Sequence, residues 1–134
     1  MKEKEIVSRF FKEGYEHRNY DAVMALVSED YVDHRPAGAR GNAGAVHILK
    51  IVAEQFSGMK IEMLDLFSEN GMVATRVRYN GFHTGTCMGI PATGKRIQFE
   101  ALENFRVADG RITESWGYWS DQEIERKLAE APEH

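Results

Sequence analysis

The stretch GFHTGTCMGIPATGKRIQFEALENFRVADGRITESWGYWSD, from Gly81 to Asp121, decides the fold. Between Lys95 and Val107 the side chains alternate, with Ile97, Phe99, Ala101 and Phe105 on one parity and Arg96, Gln98, Glu100, Asn104 and Arg106 on the other. A period of two belongs to a strand with one face against a core. Glu103 falls on the apolar parity. A carboxylate there is either paired or has its pKa moved by loss of water, and each makes it a candidate for chemistry. Ala108-Asp109-Gly110 then turns the chain into a second alternating strand, Arg111 to Ser120, so the stretch reads as an antiparallel hairpin.

Two registers compete. A three-residue loop with Gly110 in the left-handed position sets Val107 opposite Arg111, placing Glu103 opposite Ser115, Phe99 opposite Trp119 and Ile97 opposite Asp121. A two-residue Asp109-Gly110 turn instead puts Trp116 and Tyr118 beside Glu103 and turns Asp121 away. The first is preferred, because Ala-Asp-Gly matches a loop with glycine at its bulge position. It leaves Trp116 and Tyr118 beside Leu102 and Asn104 on the opposite face. Exposed aromatics on a sheet need a cover, which predicts a homodimer through that face.

Upstream, Glu3 to Arg18 carries Ile6, Val7, Phe10, Phe11 and Tyr15 at helical spacing. Asn19 can end that helix, Asp21 to Glu29 reads as a second, and Asn42 to Phe56 as a third. Tyr31 to His34 is a short extended piece stopped by Arg35-Pro36. Met59 to Phe67 and Met72 to His83 read as further strands, and Asp121 to Ala131 as a short closing helix. Helices followed by strands give an α+β fold, with helices covering the concave face of a curved antiparallel sheet.

A chain of 134 residues that is 43% hydrophobic is sized for a single domain. The N-terminal MKEKEIVSRFF is charged and carries no apolar run, and no other window reaches membrane length, so a cytoplasmic location is expected. The net charge of −4, with no basic cluster along a predicted face, argues against nucleic acid as a partner. The lone Cys87 has no second cysteine to pair with, and packing is its expected role. No His-x-His or His i, i+4 pair with a carboxylate occurs, so no metal is expected. Gly85, Gly89 and Gly94 lack the Gly-Lys-Ser/Thr ending of a phosphate loop and read as a turn-rich excursion.

Several motifs resemble the SnoaL-like polyketide (ester) cyclases, within the superfamily shared by nuclear transport factor two and ketosteroid isomerase. They are Tyr31-Val32-Asp33-His34 with Pro36 and Gly41, Gly81-Phe82-His83-Thr84-Gly85, Met88-Gly89-Ile90-Pro91-Ala92-Thr93-Gly94-Lys95, and Phe105-Arg106 with Asp109-Gly110, Ile112, Glu114, Trp116 and Asp121. The resemblance implies a cone-shaped domain with a pocket between helices and sheet. It also implies cofactor-free ring closure by intramolecular aldol condensation, with a pocket carboxylate at the end of the last long strand, the position of Asp121. Ketosteroid isomerase places an oxyanion-donating acid in the preceding strand, where Glu103 stands. That enzyme's general-base aspartate would precede the proline of the early loop, but Arg35 precedes Pro36 here.

Abstracting a proton next to a carbonyl needs a base within reach and a donor for the enolate oxygen. Asp121 is the candidate base, with Trp119, Phe99 and Ile97 expected around it; it also stands where a helix begins and could simply cap it. Glu103, His83 or His34 could serve the oxyanion, or Glu103 could sit in an ion pair and the histidines in structural roles. Tyr15 could supply a hydroxyl at the wall. An apolar pocket of roughly 300–1,000 Å³ is expected, lined by Phe56, Met88, Phe99, Phe105 and Trp119. Two functions fit: an acid/base cyclase on a hydrophobic cyclic or polyketide-like ketone or ester, or a small-molecule-binding protein or dimeric scaffold without turnover.

Overall fold

The computed structural model describes residues 2–130. The first helix, α1 (Glu3–Phe11), buries Ile6, Val7, Phe10 and Phe11. It does not run on as α-helix to Arg18. Over Lys12–Glu16 it widens into a π-helical stretch that buries Gly14, where a Cβ would lie 3.0 Å from the Leu49 side chain. Asn19 caps the next helix, α2 (Tyr20–Leu26), by accepting from the Ala22 N–H at 3.2 Å. There follow β1 (Val27–Asp33), α3 (Gly41–Gln55), β2 (Phe56–Glu69), β3 (Met72–His83), β4 (Arg96–Ala108), β5 (Arg111–Trp119) and α4 (Asp121–Ala129). Ala131, expected to end the closing helix, lies outside the described residues, as does His134.

The α+β expectation holds, with one insertion. The extended piece read at Tyr31 to His34 begins at Val27, and as β1 it enters the sheet between α2 and α3, pairing parallel to β5. The order is β1-β5-β4-β3-β2, antiparallel from β5 to β2. Burial alternates along β3 and β4, and α3 adds Ala45, Val46, Leu49 and Val52 to the core from the helical layer. No helix among the described residues is long and apolar enough to cross a membrane.

The β4–β5 register corrects the preferred prediction. Asp109 (φ 52°) and Gly110 (φ 76°) are both left-handed, and Ala108 faces Arg111, which is the two-residue turn. Its preference for positive φ at both positions suits Asp-Gly. Beyond it Val107 faces Ile112 but Arg106 faces Glu114, so Thr113 is an extra residue. One added residue in a period of two restores the parity that the turn had flipped. Glu103 therefore faces Gly117, Phe105 faces Ser115 and Ala101 faces Trp119. The face assignment of the preferred register survives although every partner beyond Thr113 has moved by two, and Ile97 does not face Asp121.

Candidate functional site at the mouth of the cone

Because β1 and β5 run parallel, with Asp33 beside Ser115, their C-terminal ends emerge at the same edge. The segment from His34 to Gly38 and the segment from Trp116 to Asp121 thus meet, and between them, with Ile48 of α3, lies an open cavity of about 450 Å³. Asp121, His34, Arg35, Gly117 and Trp119 border it.

Asp121 opens α4 and is exposed. The burial expected for it among Trp119, Phe99 and Ile97 is not found, because the chain leaves the sheet at Ser120 and the carboxylate projects at the rim. Ser120 occupies the cap position, with its hydroxyl donating to the Glu100 carbonyl at 3.0 Å. His34 lies on the rim with its ring stacked on Trp116 at 4.8 Å and 9°, and its Nε2 is 2.8 Å from Glu114. Glu114 also accepts from Arg106 at 3.0 Å. Its carboxyl is held below the usual range by these partners, His34 first.

Below the mouth the interior is packed with rings. Tyr79 stacks on Phe99 at 5.0 Å and touches Trp119 at 4.9 Å, Tyr15 meets Tyr79 at 5.2 Å, and Phe105 packs edge-on to Phe11 at 5.5 Å. This corrects the apolar pocket expected from sequence. Phe56, Phe99 and Phe105 are buried against other rings and form the floor. Met88, in the left-handed conformation, is exposed on the loop after β3. Trp119 alone of the five borders the mouth cavity.

Between floor and mouth lies a buried polar layer. Glu103, only 8% exposed, accepts from Trp119 Nε1 at 2.8 Å and from the Tyr79 hydroxyl at 3.5 Å. Burial raises its pKa, against the opposing pull of the Trp119 bond and the Arg35 charge. Burial likewise pushes the Tyr15 and Tyr79 hydroxyls well above their ordinary value. The Tyr31 hydroxyl bonds the Ser115 hydroxyl. Buried Asp33 takes Arg35 through Nε at 3.2 Å and Nη2 at 3.0 Å. A recess of about 20 Å³, room for roughly one water, touches Tyr15, Tyr31, Asp33, Arg35, Glu103 and Ser115.

The structure thus gathers Asp121, His34 and Trp119 at the mouth and sets Glu103 and Tyr15 just beneath. His83 stands apart. Fully buried at the end of β3, it bonds Thr93 through Nδ1 at 2.9 Å and holds the loop that returns to β4; its Nε2 has no partner among the described residues. Sequence reasoning missed Asp33 and Arg35 as a pair. The signal was their i, i+2 spacing at the end of a strand, where both can face one side. Among the described residues no three His, Cys, Asp or Glu side chains gather as metal ligands.

A family model described as SnoaL-like polyketide cyclase matches residues 5–128. Among curated proteins, the aklanonic acid methyl ester cyclase DnrD of Streptomyces peucetius is 31% identical over 109 residues, covering 75% of this chain and 72% of its own. DauD of Streptomyces sp. strain C5, a cyclase of the same name, is 30% identical and covered over 65% of its length. The structure of IdmH from Streptomyces antibioticus superimposes with a TM-score of 0.86 at 23% identity, covering 97% of this chain and 100% of that one. TsrD from Streptomyces laurentii gives 0.85 at 22%, covering 93% and 92%. These last two show the cone-shaped fold. Taken with the family match over nearly its whole length, they leave one conclusion: the chain belongs to the SnoaL-like polyketide cyclase family.

Proposed function

We propose that this protein closes a ring by cofactor-free intramolecular aldol condensation on a hydrophobic polyketide-like ketone or ester, with Asp121 as general base. The observation that carries the reading is the mouth cavity, where an exposed carboxylate and an indole wall stand over a sealed aromatic floor. The cyclase names of the relatives support the same chemistry, and one of them names a methyl ester as what it closes; in a polyketide-like ester the most acidic proton is one on a carbon between the ester carbonyl and a ketone. Such a proton is acidic enough for a carboxylate base to take. Asp121 takes it, the carbanion attacks a ketone carbon of the same molecule, a carbon–carbon bond forms, and the alkoxide receives a proton from the acid. His34 borders the cavity as a second proton carrier.

The experiment is a ring-closing assay on a β-keto ester bearing a second ketone within reach, followed by chromatography. Asp121→Asn should lower turnover by about 10²-fold while ligand affinity, read from Trp119 fluorescence, stays within a few-fold. Equal turnover by the variant would remove Asp121 as the base.

The exposure of Asp121 favours a second reading, a binding protein without turnover. Saturable Trp119 quenching by aromatic ketones, with no product from any of them, would select it. On either reading the assembly is a homodimer through the outer sheet face, where Phe67, Leu102 and Tyr118 are exposed around a groove of about 290 Å³. Light scattering tests this, and Tyr118→Glu should yield monomer; a wild-type monomer at tens of micromolar would end the proposal.

A further inference from the structure

Arg35 belongs to both spaces of the site: it borders the mouth cavity and the recess beneath it. Its position rests on two features. Asp33, 4% exposed, grips Nε and Nη2. Gly117 leaves room beside it, for a Cβ there would meet the Arg35 Cδ at 3.5 Å and the Glu103 carboxyl carbon at 3.3 Å. A guanidinium has five N–H donors in one plane. Asp33 takes the Nε donor and one on Nη2, and Nη1 has no hydrogen-bond acceptor among the described residues. An ion pair kept only for stability has no need to lie at the wall of a cavity with an unused edge.

We infer that Arg35 is the anion-binding residue of the site, its free Nη1/Nη2 edge receiving the two oxygens of a 1,3-dicarbonyl enolate held in the mouth cavity. This rests on the aldol reading and names its substrate class. Loss of the proton between two carbonyls spreads one negative charge over two coplanar oxygens, an arrangement that resembles a carboxylate and matches the planar fork of arginine. The cation is fixed before the charge develops, by a buried carboxylate that cannot itself reach solvent, which is the condition for preorganised stabilisation. When the enolate carbon forms the new bond, the charge leaves these oxygens for the attacked ketone, and Arg35 is left facing a neutral ketone and ester. Asp33 acts through Arg35 and is a positioning residue.

The test uses 1-phenyl-1,3-butanedione, at mildly alkaline pH where its enolate absorption is distinct, against the neutral O-methyl enol ether of the same diketone. Wild-type protein should bind the enolate about tenfold or more tightly than the ether, the size expected of a charged hydrogen-bonded pair. Equal affinities would overturn the inference. Arg35→Gln should erase the preference, and an undiminished preference would overturn it too. If that variant fails to fold, Arg35→Lys decides, since an ammonium keeps the charge but presents no planar edge: the preference should fall several-fold, and no fall overturns the assignment. Asp121→Asn separates the two readings, because it should lower ring closure by about 10²-fold while the enolate preference stays at least as large, a like charge having been removed from the wall of the same cavity. Enolate preference without any wild-type turnover would support the anion site while removing the cyclase; turnover without the preference would do the reverse.

Discussion

Glu103 lies within the β4–β5 hairpin and Asp121 just past its end, and they are prepared for opposite tasks. Glu103 is set on β4 among Tyr79, Trp119 and Gly117, and desolvation favours its neutral form. Asp121 stands past the end of β5, in water, at the rim of the cavity. The floor invests in packing and the mouth in access. A residue's distance along the hairpin from the sealed rings therefore decides whether replacing it should be felt in stability or in chemistry.

Phe105→Ala strikes the floor and should show the largest effect. Its ring is 1% exposed and packs against Phe10 and Phe11, so the loss should be about 3–5 kcal/mol in denaturant unfolding. A much smaller loss would mean that the floor is loose. Asp121→Asn belongs to the mouth: a 10²-fold fall in turnover corresponds to about 2.7 kcal/mol of barrier, while stability should change by less than about 1 kcal/mol. A large stability loss there would erase the contrast.

Gly117→Ala tests the seam between the regions. Its Cβ would press the Glu103 carboxyl at 3.3 Å, and Glu103 is held by Trp119 and Tyr79 and has little room to give, so a cost of about 1–3 kcal/mol is expected from melting curves. No cost would show that Glu103 moves freely. The smallest effect is a pH dependence. The folded-state pKa of Glu103 lies above the ordinary 4.5; its neutral form costs nothing below 4.5, and the penalty for ionising inside grows as pH rises through the raised value. Relative to Glu103→Gln, wild type should therefore lose stability as pH rises across that window, read from urea midpoints. A difference independent of pH would mean that the carboxyl is ionised throughout by the Arg35 charge.

Much of this contrast can be read from the chain. The alternation of Ile97, Phe99, Ala101, Glu103 and Phe105 locates the inner face of β4, and the family motifs reach Asp121. The partner register needs more, because the type I′ turn and the extra Thr113 each displace it and their effects on parity cancel. The place of β1 in the sheet is a pairing between residues more than eighty apart in sequence, which no local pattern encodes. Nor does spacing reveal whether a cone is hollow. Eight rings, from Phe10, Phe11, Tyr15, Phe56, Tyr79, Phe99, Phe105 and Trp119, fill it, and only their mutual packing shows that the cavity lies at the mouth.

The parallel pairing of β1 with β5 has a consequence in time. Contacts between segments so far apart pay their loop-closure entropy before any contact rewards it, and they form late. The β2–β3 and β4–β5 hairpins close between strands adjacent in sequence and can assemble first. Arg35 and His34 on one side, and Trp119 and Asp121 on the other, come together only when β1 has docked on β5. During synthesis the early half of the mouth therefore waits for the last strand, and the cavity comes into being as the sheet gains its final edge.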